Sequence, residues 1–164
     1  MRLLHIQSGH FVFRLTARDR VLLGEVLRHY PMASHEADPR SRRTPAAENT
    51  SSQTLLDEAL AAGKAEGRRR LDALLQDRQR LAPRGTGAQL TLDRNDIEWF
   101  LQVLNDVRVG SWIRAGCPDP DQGREPRPTQ ATAPFFLTME LAAYYECVLL
   151  EALHGPSPAR GDSR

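Results

Sequence analysis

Lysine is almost missing from this 164-residue chain: Lys64 is the only one among 22 basic residues, a bias that fits the codon usage of a GC-rich genome. An excess of either charge is missing too. The basic residues meet 21 acidic ones for a formal net charge of +1, so no global field draws the chain to nucleic acid or an anionic membrane. Cysteine is scarce. Cys117 and Cys147 stand far apart with no CxxC pair, which predicts free thiols in a reducing cytosol rather than a disulfide framework. No uninterrupted apolar run approaches the ~20 residues of a membrane span. The apolar start is broken at Gln7-Ser8-Gly9-His10, too early for a signal peptide. The expectation is a cytoplasmic protein with no membrane partner.

Chemical motifs are missing as well. There is no Gly-rich phosphate loop, nucleophile elbow or zinc motif. His5, His10, His29, His35 and His154 have no metal-ligand spacing. Glu151-Ala152-Leu153-His154 matches one Glu-x-x-His element of a di-iron bundle, but a second such pair is lacking. Asp119-x-Asp121-x-Gly123 has its glycine misplaced for a calcium loop and no acid at the twelfth position. These absences predict no catalytic residue, no cofactor and no metal, and they lean against an enzyme.

What is present reads as an α+β chain, mainly α, with about four helices and a small antiparallel sheet. Arg2 to Ile6 and Phe11 to Leu15 form an N-terminal hairpin, with Phe11, Phe13 and Leu15 on its buried side. Thr16-Ala17-Arg18-Asp19 resembles a capping box opening a first helix that Pro31 ends. Residues 33–53 carry few apolar anchors and read as a flexible loop. Leu55 to Leu81 forms a second helix, and 83–87 a turn. Gln89 to Leu92 is a short strand able to join the hairpin. A third helix follows, N-capped by Asp93 and stopped by Gly116. A second loop spans 117–133. Pro134 opens a last helix, apolar on most sides, that runs to Gly155. Residues 1–155 thus read as one domain, with 156–164 a disordered tail.

Three sets of residues are candidates for special roles. On the third helix, advancing 100° per residue, Ile97, Leu101, Leu104 and Arg108 share one face, while Trp99, Val103, Asp106 and Ile113 share the opposite one. Asp106 and Arg108 thus sit within apolar faces. A charge removed from water costs several kcal/mol unless paired, so both need partners; Glu146 on the last helix is the first choice for Arg108. The bland reading is a structural ion pair, the sharper one a ligand site. On the second helix, Leu56, Leu60, Gly63, Gly67, Leu71 and Leu74 line one face. Gly63 and Gly67 there would let a neighbouring backbone approach closely, unless Gly63 marks a kink. The run Arg68-Arg69-Arg70 could hold nucleic acid, but interleaved acids such as Glu66 and Asp72 favour a salt-bridged, solvated face.

At Asn105-Asp106-Val107-Arg108 the chain resembles an uncharacterised actinobacterial domain family. Its layout of strand-rich start, helix ending near Tyr-Pro, short strand, Asn-Asp-Leu-Arg helix and aromatic-rich closing helix is similar. Some members are labelled transcriptional or redox-stress regulators with a close cysteine pair, which Cys117 and Cys147 do not form. The expected function is a non-enzymatic regulatory or adaptor protein acting through protein contacts, either with itself as a homodimer or with another protein. The alternatives are a DNA-binding transcriptional regulator, and a small-molecule binder or enzyme using Asp106, Arg108 and Glu146.

Overall fold

The first fifteen residues fold back on themselves through a local turn. β1 (Arg2–Gln7) and β2 (His10–Leu15) pair antiparallel across a two-residue turn in which Ser8 and Gly9 both take positive φ, 49° and 78°. That geometry matches the twist of the strands it joins. A computed structural model of the chain describes residues 1–32, 50–119, 123 and 128–155, with the side chains of 50–54, 56 and 57 outside the description. Residues 33–49 of the loop expected over 33–53, much of the one over 117–133, and the tail 156–164 lie outside it.

Thr16 closes β2 and opens α1 (Ala17–Arg28) with a full capping box: its side chain accepts from the Asp19 amide and Asp19 accepts from the Thr16 amide. α2 (Thr50–Gln76) starts earlier and ends earlier than the sequence suggests. Its first turn takes in Thr50 to Gln53, which compositional reading assigns to a loop. It ends because the Asp77 carboxylate accepts the Gln79 amide at 2.8 Å, offering the backbone a local alternative to the next helical bond. The chain released there forms β3 (Leu81–Arg84), a strand the sequence reading missed and partly took for a turn. Pro83 is tolerated because β3 is an edge strand paired only with β4 (Gly87–Asp93).

The sheet runs β1-β2-β4-β3, antiparallel throughout, with the expected strand at 89–92 lying within β4 against β2. Phe11, Phe13, Leu15, Ala88, Leu90 and Leu92 are buried, at alternate positions that put them on one face. Against that face pack α1 and α3 (Arg94–Arg114), followed by α4 (Ala133–His154). Their buried side chains form one core that includes Leu27, Leu71, Ile97, Phe100, Leu104, Tyr145 and Leu149. Among the described residues the architecture is α+β and mainly helical: four helices with a small antiparallel sheet.

α3 corrects one expectation. Its buried residues, including Ile97, Phe100, Val103, Leu104, Val107 and Ser111, form a single broad arc. The two apolar faces expected on either side are the flanks of that arc. Arg108 and Asp106 therefore sit at opposite borders, half-buried, rather than inside apolar faces.

Candidate functional site

The Asn105–Arg108 turn of α3 sends its polar groups in different directions. Arg108 Nε lies 3.0 Å from Glu146 Oε2 on α4, and Arg108 Nη2 donates to Asn105 Oδ1 at 2.7 Å. The contact with Glu146 is an ion pair rather than an aligned hydrogen bond, and Glu146 Oε1 is buried without a hydrogen-bond partner among the described residues. Burial therefore pushes the Glu146 carboxyl up from its ordinary range, and the charge of Arg108 offsets this only in part. The Arg108 side chain stays 41% exposed, which spares it the full cost of desolvation.

Asp106 does not join this pair. Its Oδ1 accepts the backbone N–H of Met32 at 2.6 Å, holding the segment that follows α1. Ser111, one turn on, is fully buried and donates to the sulfur of the same Met32 at 3.4 Å. α3 thus fastens α4 on one border and the Tyr30–Met32 segment on the other.

Gly67 and Arg68 of α2 serve that same segment. Gly67 is buried, and a Cβ built on it would lie 2.2 Å from the Tyr30 hydroxyl. The close approach expected at this position is real, but the neighbour is a phenol rather than a backbone. Gly63 is exposed, and nothing lies within 4 Å of a Cβ there, so its expected close-packing role is absent. Only the C-terminal half of the expected stripe is buried, at Gly67, Leu71 and Leu74; Leu60 is half-buried, and the Leu56 side chain lies outside the description.

Arg68 donates through Nη1 to the carbonyls of Tyr30 and Leu27, at 3.0 and 3.4 Å, and pairs with Asp72. A cation is well placed at the C-terminal end of α1, where carbonyls lack helical partners. Arg69 pairs with Glu66 in solvent, at 2.7 Å. Arg70 reaches Asp96 at 3.1 Å while stacking 4.3 Å above the Trp99 ring.

Asp96 is a hub that does not figure among the candidate residues the sequence offered. It is buried, shares a capping box with Asp93, and pairs with both Arg70 and Arg80. The carboxylate ties α2, the start of β3 and α3 to one point. The Asp93-x-x-Asp96 spacing signals the cap, but nothing local names Arg70 and Arg80 as its partners.

Open clefts of about 350 and 430 Å³ lie beside α1, lined in part by Arg20, Leu75 and Leu81 in one case and by Val21, Gly24 and Thr86 in the other. Asp106, Arg108 and Glu146 line neither. Among the described residues, no group of three or more His, Cys, Asp or Glu side chains could hold a metal ion.

What the fold leaves unsatisfied is α4. It is long and apolar enough to cross a membrane by length and composition, yet only 17% of its apolar window is buried. Its apolar run is not uninterrupted, since Glu140, Glu146 and Glu151 break it without making the helix polar. Its buried side holds Ala142, Tyr145, Leu149 and Ala152. Tyr145 donates to the Asp19 carbonyl at 3.2 Å; burial, with Asp19 nearby, pushes its phenol up to about 12. The opposite side leaves Leu137 59%, Tyr144 45% and Leu150 43% exposed, with Cys147 between them. Set beside known proteins, the chain matches no family model, no curated protein and no solved structure.

Proposed function

We propose that this chain is a non-enzymatic regulatory or adaptor protein of the cytoplasm, working through protein contacts, with the solvent face of α4 as its docking surface and a second copy as its first partner. The observation that carries the reading is the mismatch between the apolar character of α4 and the 17% of its apolar window that is buried. Full burial of a side chain such as Leu137 or Leu150 is favourable by roughly 1.5–3 kcal/mol. In a two-fold dimer each such residue is buried twice. A bilayer is a poorer host for this helix: a charged residue at its centre costs about 2.5–3.5 kcal/mol on insertion scales, and Glu146 is already engaged with Arg108. The resemblance at Asn105–Arg108 to a family with labelled regulators is in keeping with this role. DNA binding through Arg68, Arg69 and Arg70 has weaker support, since Arg68 and Arg70 already hold other elements of the fold.

Sedimentation velocity at micromolar concentration tests the proposal. The wild-type chain should sediment as a dimer, and Leu137→Glu or Leu150→Glu should shift it to monomer with an unchanged circular dichroism spectrum. A wild-type chain that remains monomeric, or one recovered on neutral lipid vesicles, overturns it.

A further inference from the structure

We propose that the cleft between α1, the end of α2 and β3 binds a small monocarboxylate with a short apolar tail. Arg20 and Arg78 hold its carboxylate, and the tail lies on the apolar floor beneath them. This site is separate from the α4 surface and does not depend on self-association.

The floor of the cleft is the helix-facing side of the sheet at its β3 edge. Leu81 and Pro83 stand across from Leu90 and Ala88, and so share their face. Leu81, Pro83 and Ala88 line the cleft together with Leu75 of α2. Its volume of about 350 Å³ is within the range of small-molecule sites. A smaller void of about 40 Å³ adjoins it, sharing Arg20, Leu75 and Leu81 and otherwise lined by residues such as Leu23, Leu74 and Phe100. An apolar void leaves its lining short of contacts and takes up apolar groups rather than water.

The two cations at the rim lack a counterion. Arg20 projects from near the start of α1, the positive end of the helix, where a cation is poorly placed. Arg78 lies in the turn from α2 to β3. The acids nearest them in the chain are engaged elsewhere. Asp19 holds Thr16 and the Met1 amino group, Glu25 pairs with Arg28, and Asp77 accepts the Gln79 and Arg80 amides. Among the described residues, neither the Arg20 nor the Arg78 side chain has an ion pair or hydrogen bond.

These surroundings select the ligand. Two guanidinium groups match the two oxygens of a carboxylate. A phosphate would turn its further oxygens towards leucine and proline, where an unpaired polar group is costly. An extended peptide fits less well. Thr91 donates to the Arg80 carbonyl, so the alternation of the ladder turns the backbone groups of Leu81 and Pro83 away from β4. The Leu81 amide already bonds the Asp77 carbonyl, and proline has no amide hydrogen. The free edge of β3 thus offers an added strand no donor at either position.

NMR titration of the isotope-labelled full chain with butanoate, hexanoate and octanoate tests the site. Amide shifts should centre on Arg20, Leu75 and Leu81, with affinity rising roughly fourfold for each added methylene that enters the cleft. Arg20→Gln and Arg78→Gln should each weaken octanoate binding by about tenfold or more. Arg84→Gln, on β3 but outside the cleft lining, should leave it unchanged. Both cleft arginines are exposed, so circular dichroism should not change in either variant. The proposal is overturned if octanoate gives no saturable shift at millimolar concentration, or if its binding survives both substitutions. Shifts centred on Leu137 and Leu150 would place the ligand on α4 instead and overturn it too. Octylamine binding as tightly as octanoate, or inorganic phosphate displacing it, would refute the choice of a carboxylate.

Discussion

Alanine at Gly63 and at Gly67 should act in opposite directions, although both lie in α2 four residues apart. In a helix interior, alanine is favoured over glycine by about 1 kcal/mol. At Gly63 nothing lies within 4 Å of the added Cβ, so Gly63→Ala should stabilise the protein by about 1 kcal/mol, or roughly 2–4 °C in Tm for a chain of this size. At Gly67 the same atom would sit 2.2 Å from the Tyr30 hydroxyl and 3.2 Å from the ring carbon that bears it. Overpacking typically costs about 1–3 kcal/mol, which leaves Gly67→Ala neutral to about 2 kcal/mol destabilised. The gap between the two variants therefore measures the strain at Gly67 with helix propensity cancelled, and should reach about 1–3 kcal/mol. Tyr30→Phe removes the closest atom and leaves the next at 3.2 Å, so it should recover a large part of that gap in a double-mutant cycle. Urea denaturation at one protein concentration supplies all four free energies, the fixed concentration being needed because self-association adds to apparent stability. If Gly67→Ala stabilises as much as Gly63→Ala, or if Tyr30→Phe recovers nothing, the packing of α2 on the segment after α1 is wrong as described.

Two further outcomes follow from the ion pairs. Asp96→Ala leaves Arg70 and Arg80 without their shared carboxylate; because the two arginine side chains are 44% and 33% exposed, the loss should sit near 2 kcal/mol, below the 3–5 typical of a fully buried pair. A change under about 0.5 kcal/mol in chemical denaturation, the range of an ordinary surface substitution, would remove Asp96 as the hub. For Glu146 the folded-state pKa is raised, so the folded chain holds that proton more tightly than the unfolded one. The resulting stability is fully present below the unfolded carboxylate value and fades as pH rises through the folded value. Glu146→Gln should thus gain stability relative to wild type as the pH goes from 4 towards neutrality, and a relative loss over the same window would contradict the burial-dominated shift.

Local signals were legible wherever a residue's job lies within a few positions of itself. The hairpin could be read from Phe11, Phe13 and Leu15, the start of α1 from Thr16 and Asp19, and the limits of α3 from Asp93 and Gly116. Periodicity also gave the direction of Arg108, since a long cation beside an apolar face must look for an acid. It misjudged α3 as having two apolar faces because a helical wheel has no depth and cannot tell the flanks of one wide buried arc from two separate contacts. β3 went unseen because Leu81 to Arg84 is short, contains Pro83 and becomes a strand only by pairing with β4.

The sequence by itself determined the N-terminal hairpin, the four helices and the ends of α1 and α3, since caps, turns and apolar period act over one or two turns of chain. It also set the stock of polar groups that had to find partners. Which partners they found was decided by the tertiary structure. Arg70 and Arg80 meet at Asp96, Arg68 holds the end of α1, Asp106 holds Met32, and Gly67 makes room for Tyr30. The same holds for α4, whose apolar character is written in its residues while the side left in water is set by where α1, α3 and β1 happen to cover it. The physical reason is range: capping and periodicity are settled along the chain, whereas burial and ion pairing depend on elements brought together from far apart in it.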